Sequence, residues 1–516
     1  MGTSQYKIGA LLSYMTIFLG NIVGIIYTPI MLRMLGQEEY GLYSLVSSLI
    51  ATLSLVDLGF GNTTIRYVSK YRALGDHEKQ NNLNGLFILI NTVILFLTVI
   101  IGLILYYFSD NWFSSALSPS EVDKFKIMLI VLTLNLAVSF PFSVFGSIIV
   151  AYEKFIFPKV IGIIRTILNP IIVIAVLYQG YDSLGMVIAN SLVNILFLWT
   201  NVYYCFSKLK IRVSFRKIDN KVFKEISIYS FFIFLGIIVD KIYWSTDQLI
   251  LGVISGTIAV SVYSIASQLN LYYMQFSTAI SGMFLPRITS MVTKDATGKE
   301  LTDIFIRIGR IQLLILGLII SGLISFGKEF IVIWAGENYI DAYYIALILI
   351  IPFTIPLIQN MGLNILQAKN LHKFRSIVLL FLAVVNLLIS IPLARMYGGI
   401  GCALGTGISM VVGNIIMMNV YYYKKIGLDI LLFYRRINYL AFLIVINIVA
   451  GFILNSLFPD YKIFTLLIKI VILTVFYFVL MYLLGMNRYE KELIKSIVNP
   501  IRKKIIISKE KSSEQY

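Results

Sequence analysis

The sequence predicts an all-α integral membrane protein of about fourteen transmembrane helices, and three observations carry that prediction. The 516 residues are 58% hydrophobic and only 13% charged, about half the charged share of a soluble globular chain. Apolar runs of roughly 20–28 residues recur along the whole length, each long enough to cross a bilayer as a helix. The connections between them alternate in basic content. With the N-terminus taken as cytoplasmic, inner segments hold 32 of the 43 Lys and Arg, outer loops hold 6, and 5 lie within spans. That asymmetry sets the orientation by the positive-inside rule, with both termini cytoplasmic. The net charge of +17 is therefore a topology signal and gives no reason to expect a nucleic-acid partner.

The expected spans run near 8–31, 41–60, 86–108, 127–149, 160–178, 184–205, 226–253, 258–286, 302–327, 342–366, 376–394, 398–423, 438–457 and 463–485. The first is too long for a signal-peptide core and lacks a small-residue cleavage site, so it is expected to stay as a span. No ten-residue alternation suggests a barrel, and helices satisfy their own backbone in lipid. The two longest connections, near 61–85 and 206–225, fall on the cytoplasmic side. No outer loop is large enough for a water-exposed catalytic domain. Cys205 and Cys402 are solitary, and His77 and His372 fall in cytoplasmic loops. A zinc site or a histidine triad has no raw material inside the membrane, and no cofactor is expected.

An internal repeat runs through the pattern. Phe18-Leu19-Gly20, Tyr27 and Gly36 match Phe234-Leu235-Gly236, Tyr243 and Gly252, and Asn201-Val202-Tyr203-Tyr204 matches Asn419-Val420-Tyr421-Tyr422. Six spans precede the second copy, so both copies insert the same way round, as a parallel repeat about the membrane normal. The expected organisation is a six-helix lobe over 1–205, a basic cytoplasmic linker over 206–225 and a second six-helix lobe over 226–425. Two extra helices over 426–487 and a cytoplasmic tail over 488–516 follow.

With that layout, the chain resembles the polysaccharide transporter family of bacterial oligosaccharide flippases, the Wzx-like group. That group sits in the multidrug/oligosaccharidyl-lipid/polysaccharide exporter superfamily. The resemblance is carried by Asn21-Ile22-Val23-Gly24, by the run Leu35-Gly36-Gln37-Glu38-Glu39-Tyr40-Gly41-Leu42-Tyr43, and by Leu55-Val56-Asp57-Leu58-Gly59-Phe60-Gly61 with Arg66-Tyr67. Asp247-Gln248-Leu249-Ile250-Leu251-Gly252 and Val262-Tyr263-Ser264-Ile265-Ala266 extend it into the second half. The resemblance implies two six-helix bundles around a central cavity that opens alternately to each side of a bacterial cell membrane.

Ionisable groups within spans are costly, about 2.5–3.5 kcal/mol on insertion scales, so each needs a reason. Asp240, Tyr243, Trp244 and Asp247 follow i, i+3, i+4, i+7 spacing on the seventh span, one helical face. They read as a cavity stripe for sugar or a coupling cation, with an interhelical ion pair as the competing reading. Lys241 points about 100° from Asp240 and is expected to find its partner on another helix. Arg165, Arg307 and Arg310 lie nearer the cytoplasmic face, where guanidinium groups suit a diphosphate; snorkelling to the interface competes. Gln268, Asn270 and Asn21 are candidate cavity hydrogen-bonders or interhelical ones. Asp57 and Arg66 bracket the end of the second span and read as a helix-end or gate salt bridge. Lys469 reads as a snorkelling side chain.

The function expected from these readings is transport without bond chemistry: a flippase moving an undecaprenyl-diphosphate-linked oligosaccharide from the inner to the outer leaflet, with the polyprenyl tail left in lipid. Polysaccharide polymerase or assembly proteins are candidate partners. The rivals are a cation-coupled multidrug exporter and a membrane glycan polymerase or ligase. The last needs a substantial outer loop that the sequence lacks. A membrane potential negative inside favours outward movement of an anionic headgroup by about 2.3 kcal/mol per charge per 100 mV. The potential is therefore expected to matter most, with Asp240 and Asp247 keeping H⁺ or Na⁺ coupling open.

Overall fold

The computed structural model describes residues 2–215, 220–369 and 371–495, and within them the side chains of residues 2–7, 9–11, 221, 232–233, 235–244, 286, 372–373 and 376 lie outside the described set. Among the described residues there are helices and connecting segments and no strand. In chain order the helices are α1 Gly2–Leu53, α2 Phe60–Ala73, α3 His77–Phe113, α4 Pro119–Ala151, α5 Ile156–Tyr178, α6 Ser183–Ser207, α7 Asn220–Ile254 and α8 Gly256–Thr293. They continue as α9 Gly298–Trp334, α10 Asp341–Ile358, α11 Asn360–Ala368, α12 His372–Met410, α13 Met418–Tyr421, α14 Ile430–Leu457 and α15 Ile463–Leu480.

Ten segments among the described residues are long and apolar enough to cross a membrane. Two of them, Leu12–Ala73 and Ile377–Ile426, run to 62 and 50 residues. Straight helices of those lengths would reach roughly 93 and 75 Å, far beyond an apolar core of about 30 Å. Each is broken at a glycine outside helical geometry: Gly36 at φ 77° within α1 and Gly398 at φ 55° within α12. Only a residue without Cβ takes that backbone at little cost. The apolar side chains left facing outward, such as Phe96 at 62%, Leu192 at 64% and Phe464 at 71% exposure, are what a lipid-facing surface carries. The chain is a multi-pass membrane protein.

The internal repeat reappears in the backbone. Left-handed residues recur at offsets of 217 to 220: Gly36 with Gly256, Gly75 with Asp295, Gly180 with Gly398, and Lys210 with Gly427. The sequence match had aligned Gly36 with Gly252, whereas the second-copy helix break falls four residues later, at Gly256. The first long connection is also more ordered than a loop. Asp57 ends a short 3-10 turn, Leu58 and Gly59 are left-handed, and α2 follows at once.

The contacts divide the chain into two compact units. The first comprises Met1–Tyr272, Trp334–Leu349 and Lys373–Gly413. Its largest buried cluster joins α2, α3 and α4 through Val68, Leu83, Phe87, Phe140, Ile148 and Ile149. Because lipid tails are as apolar as leucine, close helix approach comes from small residues. A Cβ on Gly102 of α3 would lie 2.3 Å from Thr133 Cγ2 of α4. The start of the expected linker is docked on the same cluster. Ile211 is buried there, Asn84 Nδ2 donates to the Arg212 carbonyl at 3.0 Å, and Ser214 N–H donates to the Asn81 carbonyl at 3.0 Å. Residues 216–219 of that linker lie outside the described residues.

The second unit comprises Tyr273–Ile333, Ile350–His372 and Asn414–Tyr516. In it α9 packs against α14 and α15. Ser325 donates to the Ile448 carbonyl, Asn447 Nδ2 to Ser321 Oγ at 2.8 Å, and Tyr477 OH to the Leu314 carbonyl at 2.8 Å. The two C-terminal helices are therefore tied to α9 by specific polar contacts.

Candidate functional site

The first unit holds a polar pocket built on three helices. Asp247 of α7 is buried, 4% exposed. One carboxylate oxygen, Oδ2, accepts from Thr406 Oγ1 of α12 at 2.6 Å and from the Tyr263 hydroxyl of α8. Thr406 Oγ1 also lies 3.2 Å from Asn386 Oδ1, which accepts from Ser390 Oγ at 2.6 Å. Ser390 Oγ is in turn 3.4 Å from the Cys402 carbonyl. Asn386 and Ser390 precede the Gly398 break of α12, and Cys402 and Thr406 follow it, so the break folds two i, i+4 pairs toward each other. Asp247 Oδ1 has no hydrogen-bond partner among the described residues.

The Asp247 carboxylate, the Asn386 side-chain carbonyl and the Cys402 main-chain carbonyl share the three hydroxyl donors of Tyr263, Thr406 and Ser390, with the Asn386 amide group beside the carboxylate. Among the described residues Asp247 has no basic partner. A buried carboxylate left that way is costly. A bound proton, or a small hard cation held by oxygen ligands, relieves the cost.

A second polar group of the same unit lies between α1 and α8. Gln268 Nε2 donates to Thr28 Oγ1 at 2.9 Å and to the Tyr272 hydroxyl at 2.7 Å. A Cβ on Gly24 would meet that hydroxyl oxygen at 2.2 Å. The glycine is what lets Tyr272 reach across, which gives the Asn21-Ile22-Val23-Gly24 run a physical reason. Asn21, Gly24 and Thr28 share one face of α1 by helical spacing, and Asn21 is half-buried there. Asn270 is buried with its Oδ1 unpartnered among the described residues.

Arg165 of α5 is exposed and makes no hydrogen bond or ion pair among the described residues. The side chains of Asp240, Lys241, Tyr243 and Trp244 lie outside the described residues, so of the expected seventh-span stripe only Asp247 has its surroundings defined.

A family model described as "Polysaccharide biosynthesis protein" matches residues 8–292, more than half of the chain. The chain belongs to the polysaccharide biosynthesis protein family. None of the curated proteins matches the sequence. Among solved structures, this family member is similar to one titled "Lipid II flippase MurJ, inward closed conformation", with a TM-score of 0.72 and 16% identity, covering 94% of this chain and 99% of that one. It is also similar to an inward-facing multidrug resistance MATE family transporter of the MOP superfamily, with a TM-score of 0.64 and 14% identity over 79% of this chain and 96% of that one. A third is a MOP superfamily transporter from Pyrococcus furiosus, with a TM-score of 0.55 and 14% identity over 81% and 96%. These likenesses show the fold, an all-α bundle of membrane-length helices.

Three sequence expectations for this polysaccharide biosynthesis family member need correction. Arg310 of α9 is not available to a diphosphate. It is 8% exposed, and Nε donates to Glu490 Oε1 at 2.7 Å, Nη1 to the Arg436 carbonyl at 2.6 Å, and Nη2 to the Gly485 carbonyl at 2.9 Å and Glu490 Oε2 at 3.0 Å. A bidentate carboxylate and two carbonyls consume the guanidinium fork. One turn away, Arg307 is exposed with its guanidinium 4.4 Å from the Tyr489 ring centroid. Arg66 forms no ion pair with Asp57 among the described residues; it lies 4.2 Å from the ring centroid of Tyr229 on α7. The left-handed pair Leu58–Gly59 sets Asp57 and Arg66 on separate helices. Lys469 does not snorkel: its side chain is fully buried and paired with Glu329.

Sequence reasoning missed Asn386, Ser390, Thr406 and Tyr263. The available signal was the paired i, i+4 spacing of small polar residues on either side of a glycine break.

Proposed function

We propose that this chain is a flippase that moves an undecaprenyl-diphosphate-linked oligosaccharide from the inner to the outer leaflet of a bacterial cell membrane. The two six-helix repeats, 1–205 and 226–425, would alternate access around a shared path, with helices 426–487 as an appendage. The observation that carries this reading is the family match over residues 8–292. The distribution of Lys and Arg supports cytoplasmic termini. Arg165 then sits on the inner half of α5, within reach of a headgroup entering from the cytoplasmic leaflet, and its planar fork suits a diphosphate. Asp247 exchanges one cation, H⁺ or Na⁺, per cycle. The potential drives the anionic substrate outward, and release of the cation resets the carrier.

A second reading, cation-coupled drug export, is favoured by one observation: a buried carboxylate with no basic partner among the described residues is what a coupled exporter needs, whatever its cargo. Depletion of the protein from its own cell separates the two. The flippase reading expects loss of surface polysaccharide and accumulation of lipid-linked oligosaccharide on the inner leaflet, with drug tolerance unchanged. Normal surface polysaccharide together with drug hypersensitivity would favour the exporter.

A further inference from the structure

The end of the first unit where the Gly36, Gly256 and Gly398 breaks lie is closed by backbone touching backbone. A Cβ on Gly41 of α1 would lie 2.0 Å from the carbonyl oxygen of Thr257, and one on Gly252 of α7 would lie 2.2 Å from Leu45 Cδ1. A Cβ on Gly256 would meet the Ala116 carbonyl oxygen at 2.7 Å. At Gly41 and Gly256 the neighbour is backbone, so no side chain fits there without separating the helices, while at Gly252 it is the tip of the Leu45 side chain.

Hydrogen bonds frame the same contact. Thr257 Oγ1 donates to Glu121 Oε1 at 2.8 Å, while the other oxygen of Glu121 is held by the Ser118 N–H at 2.8 Å in the capping box of α4. Gln37 Nε2 donates to the Asn338 carbonyl at 3.1 Å. Leu42, Leu45 and Val46 beneath are 1%, 0% and 0% exposed, so the seal is dry. Apart from the Ser118 capping bond, each of these contacts joins a residue of the first repeat (Gln37, Gly41, Leu45, Ala116, Glu121) to one of the second (Gly252, Gly256, Thr257, Asn338).

We propose that this glycine-lined contact is the outer gate of the transport path, closed in this structure, with Gly41 against Thr257 as its tightest point and Glu121–Thr257 as its latch. The assignment rests on the flippase reading for its orientation and for what passes through. Its chemistry suits a gate. Glycine-to-backbone contact excludes water when shut, yet opening these contacts breaks van der Waals contact and a few neutral or singly charged hydrogen bonds, and none of the contacts named is a buried ion pair.

The test uses the full-length protein in membranes with a reporter, Asn21→Cys, on the α1 face below the contact. The native Cys205 and Cys402 are both buried. A membrane-impermeant maleimide is applied from the side opposite the termini. Gly41→Leu is expected to raise reporter labelling several-fold at unchanged protein abundance. A Glu121→Cys/Thr257→Cys disulfide is expected to suppress labelling and, in the protein that keeps Asn21, to stop movement of a fluorescent undecaprenyl-diphosphate sugar in vesicles, both reversed by reductant. Should Gly41→Leu fail to accumulate, the disulfide arm decides alone. Labelling that neither variant changes, or a cross-linked protein that labels and transports like the reduced one, would overturn the gate. The labelling arm contains no substrate, so a gate that responds as expected beside a probe that never moves would fault the substrate reading and leave the gate standing.

Discussion

Lys469 and Glu329 form an ion pair out of reach of solvent. Nζ lies 2.7 Å from Glu329 Oε2, the two side chains are 0% and 1% exposed, and Asn455 Oδ1 accepts a second Lys469 N–H at 2.9 Å. The pair joins α15 to α9, with Asn455 on α14 between them. Removing one partner leaves an uncompensated charge, whereas removing both leaves an apolar contact, and the two outcomes differ sharply. Lys469→Met or Glu329→Met alone is expected to cost about 3–5 kcal/mol, while the double substitution is expected to be near neutral. A double-mutant cycle on thermal unfolding in detergent checks this. A loss in the double equal to the sum of the two single losses would mean the pair carries no coupling.

The Arg310–Glu490 contact makes the corresponding prediction for the N-terminal half of α9. Arg310→Lys keeps the charge but loses the fork that serves one carboxylate and two carbonyls at once, so substantial loss of thermal stability is expected despite the conserved charge. Arg307→Lys one turn away is expected to change stability little, since its guanidinium is exposed over the Tyr489 ring. A thermal shift for Arg310→Lys no larger than for Arg307→Lys would return Arg310 to the list of available cations.

At the start of α6, Lys124 bridges Asp182, at 2.8 Å, and Glu39. Burial pushes the Asp182 carboxyl up, but the Lys124 hydrogen bond and charge and the N–H groups of Leu184 and Gly185 outweigh it, leaving the group below the ordinary carboxylate range. A lowered folded-state value means the stabilisation is complete above the unfolded pKa of about 3.9 and is lost as pH falls through the folded value. Asn remains a good N-cap for α6, so Asp182→Asn isolates the pairing with Lys124. The difference in Tm between Asp182→Asn and the parent is expected at pH 7 and should shrink below about pH 4. A difference independent of pH would assign it to packing.

The fold was readable because its signals are local. Apolar run lengths and alternating basic loops are properties of neighbouring residues, and they gave an all-α membrane chain with a repeat. The helix breaks were partly readable: Gly36 stood in a quoted motif, but nothing near Gly252 marked Gly256 as the true break. The ionisable residues were readable only as present. Arg165 and Arg310 look alike in sequence, both basic within apolar runs. What separates them is Glu490, 180 residues from Arg310 and beyond the last span. Lys469 and Glu329 are likewise 140 residues apart, and Glu329 falls just past the expected end of its span at 327. The Asp247 pocket draws on Thr406, 159 residues away. Such partners depend on which helices pack together, and periodicity along one helix does not encode that.

The central claim is that an anionic lipid-linked oligosaccharide crosses this protein with a cation exchanged at Asp247. Its most direct test is leaflet transfer of a fluorescent undecaprenyl-diphosphate sugar in vesicles containing the purified protein, with membrane potential, pH gradient and Na⁺ gradient imposed separately. Transfer is expected to follow the potential most strongly, at about 2.3 kcal/mol per charge per 100 mV. Asp247→Asn, which keeps the shape of the pocket but removes its charge, is expected to abolish the response to whichever ion gradient the parent senses and to slow the potential-driven rate without stopping it. Transfer no faster than in protein-free vesicles under every gradient, or an Asp247→Asn variant with every response intact, would contradict the account.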